Sequence, residues 1–210
     1  MKRSIILVGI GGHGSVVLNM LLMSEEIVAG VCDPALKSDS DIGGGLPHLN
    51  SEELIQSHPP SDFLIANGIG FMPGQISRQS LFQNMQEQGY DFLSLKDPSS
   101  IITRDVKLGI GTQIMAGAII QTGCDIGENT IVNTGAQIDH GCIIGSFSHI
   151  CPGAILSGDI TVDSGTFIGA GAVIINGLKI GRGAVVGAGA IVIEDVPDNA
   201  RIITPTHRTL

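Results

Sequence analysis

From Ile102 to Val192 an aliphatic residue stands at every sixth position, sixteen times without a gap: Ile102, Leu108, Ile114, Ile120, Ile126, Val132, Ile138, Ile144, Ile150, Leu156, Val162, Ile168, Ile174, Ile180, Val186 and Val192. Four residues after most of them sits a small side chain, as at Thr112, Ala118, Cys124, Thr130, Ala136, Cys142, Ser148 and Ala154. Glycine often follows the aliphatic residue directly, as at Gly109, Gly127, Gly145, Gly169, Gly181 and Gly187. A period of six does not fit the 3.6-residue helical turn, so an amphipathic helix is excluded. The pattern predicts a parallel β-helix in which each hexad is one short wall and one corner, and three hexads close a triangular coil. The aliphatic residue fills the interior, the small one fits beside it, and glycine permits the backbone angles of the turn. Residues 102–197 then make about five coils, with residues eighteen apart lying on top of one another.

The first hundred residues follow a different pattern. Apolar runs at 4–10, 27–32, 62–67 and 91–95 predict four strands. Between them, 15–23, 51–57 and 75–89 predict helices, the second opening on a Ser cap. Strands separated by helical crossovers imply a small parallel sheet. The segment "KDPSS" (96–100) reads as a linker. The chain is therefore expected to hold an α/β domain over 1–97 and an all-β domain over 98–210.

The eighteen-residue period assigns directions. Cys124 and Cys142 fall at the small interior position of successive coils, so both are expected to be core residues. His140 lies two residues past Ile138, and His149 one residue before Ile150, so both point away from the interior, at or beside corners. Thr122 and Gly158 stack on either side of His140, and the bare Gly158 leaves room for the ring. Asp139 is adjacent, and Asn133, on the preceding wall, joins them as a substrate-binding candidate. Such a polar cluster on an aliphatic prism could hold a metal, act in catalysis or be solvated surface. A zinc site needs three or four protein ligands, and the repeat region supplies two His, so no metal is expected.

In the amino-terminal half, "GIGGHG" places Gly9, Gly11 and Gly14 in a G-x-G-x-x-G pattern between a strand and a helix, with Asp33 at the end of the next strand. This context suits phosphates bound by backbone N–H groups at a helix amino terminus. It is equally the form of a glycine turn needed for packing alone. Four strands fall short of a two-halved dinucleotide fold, and a nucleotide-sugar pocket fits the size better.

Charge and composition narrow the partners. A formal charge of −9 argues against nucleic acid and against an anionic membrane surface. Aromatic residues are only 3 % of a chain with thirty Gly, so the core must be built from Ile, Val, Leu and Ala. The apolar run after Met-Lys-Arg is short and lacks a small-residue cleavage site. No stretch is long enough to span a bilayer. The four Cys show neither zinc nor redox spacing, which makes a reducing cytoplasm the expected location.

The glycine loop "GIGGHG" followed by the hexad region with "DHGCIIGSFSHICPGA" (139–154) resembles the bacterial sugar acyltransferases of the sialic acid O-acetyltransferase type. These include N-acetyltransferases acting on nucleotide-linked 4-amino-4,6-dideoxy sugars for glycan assembly. The likeness covers nearly the whole chain. It implies a Rossmann-like amino-terminal domain and a left-handed parallel β-helix. It also implies acetyl-CoA as cosubstrate, a nucleotide-sugar substrate and a homotrimer with active sites between subunits. By motif, the resemblance makes His140 the catalytic base and His149 the residue beside the thioester. It assigns Gly11, Gly12 and His13 to the sugar-nucleotide loop, Asp33 to the nucleoside, Gly68 to a strand end facing substrate, and Ala170 and Ala188 to the CoA groove. Lys179, Arg182 and Arg201 are candidate partners for CoA phosphates.

Two departures stand out. The family places Asp or Glu directly after the catalytic His, and this chain has Gly141. The carboxyl end, "ARIITPTHRTL", lacks the usual closing segment. The expected activity is N-acetylation of a nucleotide-linked amino sugar. O-acetylation of a sialic acid-like sugar and a non-catalytic sugar-nucleotide scaffold are the alternatives.

Overall fold

The computed structural model describes residues 3–24, 26–36, 45–49 and 59–203. They belong to two compact units, Met1–Leu93 and Ser94–Leu210. The helix expected over 51–57 lies outside the described residues.

The first unit is a small parallel sheet with two helices among the described residues. Its elements are β1 (Ser4–Val8), α1 (Gly12–Met23), β2 (Val28–Cys32), β3 (His48–Leu49), β4 (Phe63–Asn67) and α2 (Ser77–Glu87). The strand order is β3-β2-β1-β4 and every pairing is parallel. The unbroken apolar run of β1 suits a strand covered on both faces, and Ile5, Ile6 and Leu7 are fully buried. Val17, Leu18, Met20 and Leu21 form the buried face of α1. On α2, Arg78 is buried and donates to the carbonyls of Ile69 (2.7 Å) and Asn67 (3.3 Å). Burial pushes the guanidinium pKa down, and these carbonyls offset the cost of enclosing the charge. In return they hold the end of β4 in place.

The strand expected over 91–95 shrinks to one parallel bridge between Ile65 and Phe92. By Leu95 the chain has joined the second unit, where Leu95–Lys96 pairs with Gln113–Ile114. Asp97 N–H also donates to the Ile114 carbonyl. Residues at the start of the 96–100 segment thus belong to the first coil rather than to a free linker.

The second unit is a parallel β-solenoid of the left-handed type, with sheets of five, seven and six two-residue strands as its three walls. The five-stranded wall runs from Lys107–Leu108 to Lys179–Ile180, the seven-stranded from Leu95–Lys96 to Arg201–Ile202, and the six-stranded from Ile101–Ile102 to Ile191–Val192. Partners stack eighteen residues apart, as in Asp125–Ile143–Thr161–Lys179. Except in Leu95–Lys96, where Leu95 is the buried one, the second residue of each strand points inward. Ile114, Ile120, Ile126, Val132, Ile150, Ile168, Ile174, Ile180 and Val186 are fully buried, with the small residues Ala118, Ala136, Cys142 and Ala154 between them. Cys124 is in the same core.

The hexad stops after Val192 because the last coil is shorter: Ile180 bridges Val196 and Val186 pairs Ile202, each sixteen residues on. Corner carboxylates tie coils together. Asp105 accepts from Thr122 Oγ1–H (2.6 Å) and Gly123 N–H (2.8 Å) of the next coil.

Two outcomes follow from this packing. Ile144→Ala removes a fully enclosed inward side chain and should cost about 2–5 kcal/mol in urea denaturation. The hydrogen bonds from Thr122 and then Gly123 lower the Asp105 pKa. Its stability contribution is therefore present above the unfolded carboxylate value and lost as pH falls through the folded one. Asp105→Ala should be less stable than wild type at neutral pH, with the gap closing in acid; a gap constant across pH would contradict this.

Candidate active site

In the first unit, three loops meet at the carboxyl edge of the sheet. The chain leaves β1 upward through Gly9 to Gly12, β2 ends at Cys32 beside Asp33, and β4 ends at Asn67 beside Gly68. Because β2 and β4 flank β1 on opposite sides, this edge is a switch point, the position where open α/β sheets leave a crevice. Gly9 takes a left-handed φ of 90°. A Cβ at Gly14 or Gly68 would collide with the Gly9 carbonyl oxygen, so these glycines let the loops close on one another. Around Gly11 and Gly12, in contrast, a Cβ would meet nothing within 4 Å. Gly11 caps α1 without a side-chain bond. His13 lies in the first turn of α1, and Gly70 packs against its Cβ. Asp33 braces the loop: Oδ2 accepts from Ile10 N–H and Oδ1 from Ala35 N–H, both at 2.8 Å. A shallow depression is lined by Ile10, Gly11, Asp33, Ala35 and Leu36.

In the second unit the candidates fall on two edges of the prism. His140 sits in the corner that leads from Gln137–Ile138 on the six-stranded wall to Ile143–Ile144 on the five-stranded wall. Its side chain is 57 % exposed. The ring packs against Gly158 of the next coil, where a Cβ would collide with it. Asp139 Oδ1 accepts the His140 main-chain N–H at 2.7 Å. The carboxylate beside the ring is that of Asp159, with Oδ1 3.8 Å from His140 Nδ1. Gly141 is left-handed (φ 69°), and a Cβ there would run into Asp159 Oδ1.

His149 is on the seven-stranded wall, outward from the core yet buried. It packs edge-on against Phe167 (5.4 Å between ring centres), and Asn133 Nδ2 lies 3.0 Å from its Nε2. Asn133, which the sequence groups with His140, contacts His149 instead, because it directly follows Ile131–Val132, the strand that pairs with His149–Ile150 on the seven-stranded wall. Ala170 and Ala188 stack on the same edge as Asn133, joined by the Gly189 N–H to Ala170 carbonyl bond (2.8 Å). Within one chain the structure thus gathers His149, Asn133, Ala170 and Ala188, and leaves His140 on the other side of the six-stranded wall. Arg201 ends the ladder that runs from His149 through Phe167 and Val185, whereas Lys179 is on a different wall.

No thiol is available as a nucleophile among the described residues. All four Cys are buried. Cys142 Sγ donates to the Ser157 carbonyl at 3.1 Å, and the neighbouring Cys124 thiol together with burial pushes its pKa up. Burial pushes the Cys151 thiol up to about 12. Among the described residues, no group of three or more His, Cys, Asp or Glu could hold a metal ion. No helix among them is long and apolar enough to cross a membrane.

A triangular parallel solenoid joined to a small α/β sheet, with an exposed corner histidine, defines an acyltransferase-like architecture. Solved structures share it over nearly full length. The acetyltransferase domain of PglB from Neisseria gonorrhoeae, in complex with acetyl coenzyme A, is 30% identical, with 96% of each chain covered and a TM-score of 0.84. A variant of GDP-perosamine N-acetyl transferase from Caulobacter crescentus with one His replaced by Ala, bound to CoA and GDP-perosamine, is 29% identical. There 96% of this chain and 93% of that one are covered, with a TM-score of 0.86. WeeI from Acinetobacter baumannii AYE is 25% identical over 95% of this chain and 96% of its own, with a TM-score of 0.82. No family model matches the chain, and no curated protein matches it. The chain belongs to the hexapeptide-repeat sugar acyltransferases of the sialic acid O-acetyltransferase and nucleotide-amino-sugar N-acetyltransferase family.

The sequence did not single out Asp159 or Phe167. Both were accessible by adding eighteen to a position of interest, Gly141 in one case and His149 in the other.

Gly158→Ala should displace the His140 ring while leaving the coil intact, since the φ of Gly158 is not in the left-handed region. A crystal structure of the variant checks this. An unmoved ring over Ala would contradict the contact.

Proposed function

We propose that the protein transfers an acetyl group from acetyl-CoA to the amine of a nucleotide-linked amino-dideoxy sugar. The observation that carries this reading is the exposed His140 ring, fixed between a glycine and a carboxylate, on a fold shared with sugar N-acetyltransferases. The neutral amine attacks the thioester carbonyl carbon, and His140 accepts the proton it sheds. Backbone N–H groups at a coil corner stabilise the tetrahedral oxyanion. The C–S bond then breaks, and the imidazolium returns the proton to the CoA thiolate. Transfer is direct, with no acyl-enzyme, because each Cys is buried and none reaches the surface beside His140.

The amino-terminal sheet serves as a Rossmann-like binding unit for the nucleotide sugar. Its diphosphate meets the open backbone of Gly11 and Gly12 at the start of α1, near His13 and Gly68. Both Asp33 oxygens already hold the loop, and their remaining lone pairs are left for the nucleoside. His149 orients the thioester end of CoA, with Ala170 and Ala188 lining its path and Arg201 facing its phosphates.

Active sites form between subunits of a homotrimer. The outward residues of the six-stranded wall are Ile101, Ile119, Gln137, Ile155, Val173 and Ile191, a ladder aliphatic at every step but Gln137, with Ile101 and Ile191 well exposed. Packing these walls around a threefold axis brings the His140 edge of one prism against the His149 edge of its neighbour. The reaction belongs in the cytoplasm, where acetyl-CoA is available and four free thiols persist.

His140→Ala should reduce kcat by about 10²- to 10⁴-fold in a thiol-release assay, with trimer and fold retained. Turnover near the wild-type rate would remove His140 from the mechanism.

A further inference from the structure

Gly141 directly follows the proposed base, so that position has no side chain to orient the His140 ring. In a coil of eighteen residues, position 159 stacks on position 141, and that is where the chain carries Asp. The structure links the two positions sterically. Gly141 is left-handed, and the space its Cβ would take is filled by Asp159 Oδ1. An acid at 141 and Asp159 in its present place therefore exclude each other.

We propose that Asp159 is the positioning residue for His140, supplying from the next coil the carboxylate that an acid at 141 would otherwise provide. The inference rests on reading His140 as the base. Three contacts support it. Asp159 N–H donates to the His140 carbonyl at 2.8 Å, which fixes the two residues face to face. Gly158, next to Asp159, forms the floor under the ring. Asp159 Oδ1 is 3.8 Å from Nδ1, beyond a hydrogen bond but within reach of one as charge develops on the ring.

The other groups near this corner are otherwise engaged. Asp139 is bound to the His140 main-chain N–H, and Asp105 to Thr122 and Gly123. Cys124 donates its thiol to the Asp139 carbonyl at 3.0 Å. Among the described residues, Asp159 is the carboxylate within 4 Å of a His140 ring nitrogen and so the one placed to accept from Nδ1–H. That bond selects the tautomer with a free Nε2 lone pair to take the substrate proton, and it stabilises the imidazolium once formed. Because Asp159 is 71 % exposed, solvent screens the interaction and the effect is moderate.

The test is Asp159→Asn, which keeps the left-handed backbone (φ 59°) that Asn tolerates. It is read beside His140→Ala and the exchange variant Gly141→Asp/Asp159→Gly. In Asp159→Asn, kcat should fall about threefold to tenfold with little change in the acetyl-CoA KM, for an exposed pair of this kind. The acidic limb of kcat/KM, and the His140 ring titration followed by NMR of 13C-histidine-labelled protein, should both move to lower pH. The exchange variant should recover activity relative to Asp159→Asn, and Gly141→Asp alone should not, because it meets Asp159. An inactive His140→Ala with unchanged kcat and pH limb in Asp159→Asn would overturn the inference and leave the base assignment standing. An active His140→Ala would instead overturn the base assignment, and an unmoved ring titration in Asp159→Asn would overturn the positioning role independently of turnover.

Discussion

Everything in the solenoid depends on coils stacking at eighteen residues, because the inward aliphatic ladder is buried only if each coil sits squarely on the next. Hydrogen bonds run from every coil to its neighbour, as from Asp125 N–H to the Cys142 carbonyl and from Ile143 N–H to the Ile160 carbonyl. This fixes not only the core but every outward position. A residue's surroundings are set by what stands eighteen before and eighteen after it, more than by its neighbours in sequence. His140 illustrates the rule: the ring's floor is Gly158 and the carboxylate beside its Nδ1 is that of Asp159, both one coil away.

The same constraint explains what was legible beforehand. The sixteen-fold hexad gave the walls, the buried Cys124 and Cys142, and the exposure of His140 directly, because burial alternates with a fixed period. His149 was placed outward correctly, but its burial was not foreseen, since that depends on Phe167 and Asn133 closing over the ring. The carboxylate adjacent in sequence to His140 is Asp139. Asp139 satisfies a main-chain N–H, as short acidic side chains commonly do at turns. The shortened last coil was invisible for a related reason: a shift of two residues breaks the count while conserving the inward contacts of Val196 and Ile202.

The amino-terminal half was less legible because no such period governs it. Helices α1 and α2 and three of its strands followed from apolar runs, but the two-residue β3 has no periodic signature. The expected fourth strand became a single bridge because the chain must turn into the first coil within a few residues. What the sequence did convey was the position of the glycine loop between β1 and α1. Gly14 and Gly68 crowd against the Gly9 carbonyl, while Gly11 and Gly12 present bare backbone. Site geometry here comes from glycine where side chains are excluded, just as Gly141 and Gly158 make room for Asp159 and the His140 ring.

Gly141 leaves no acid directly after His140, as a non-catalytic scaffold would also allow, yet Asp159 Oδ1 puts a carboxylate 3.8 Å from the ring Nδ1. The most direct measurement is the product. The protein is incubated with acetyl-CoA and a panel of nucleotide-linked 4-amino sugars and sialic acids, and products are analysed by mass spectrometry and NMR. The account predicts stoichiometric release of CoA thiol and one acetyl group on the sugar nitrogen of a nucleotide-linked amino sugar. An acetyl group found only on a hydroxyl oxygen, or no thiol release with any acceptor, would contradict it.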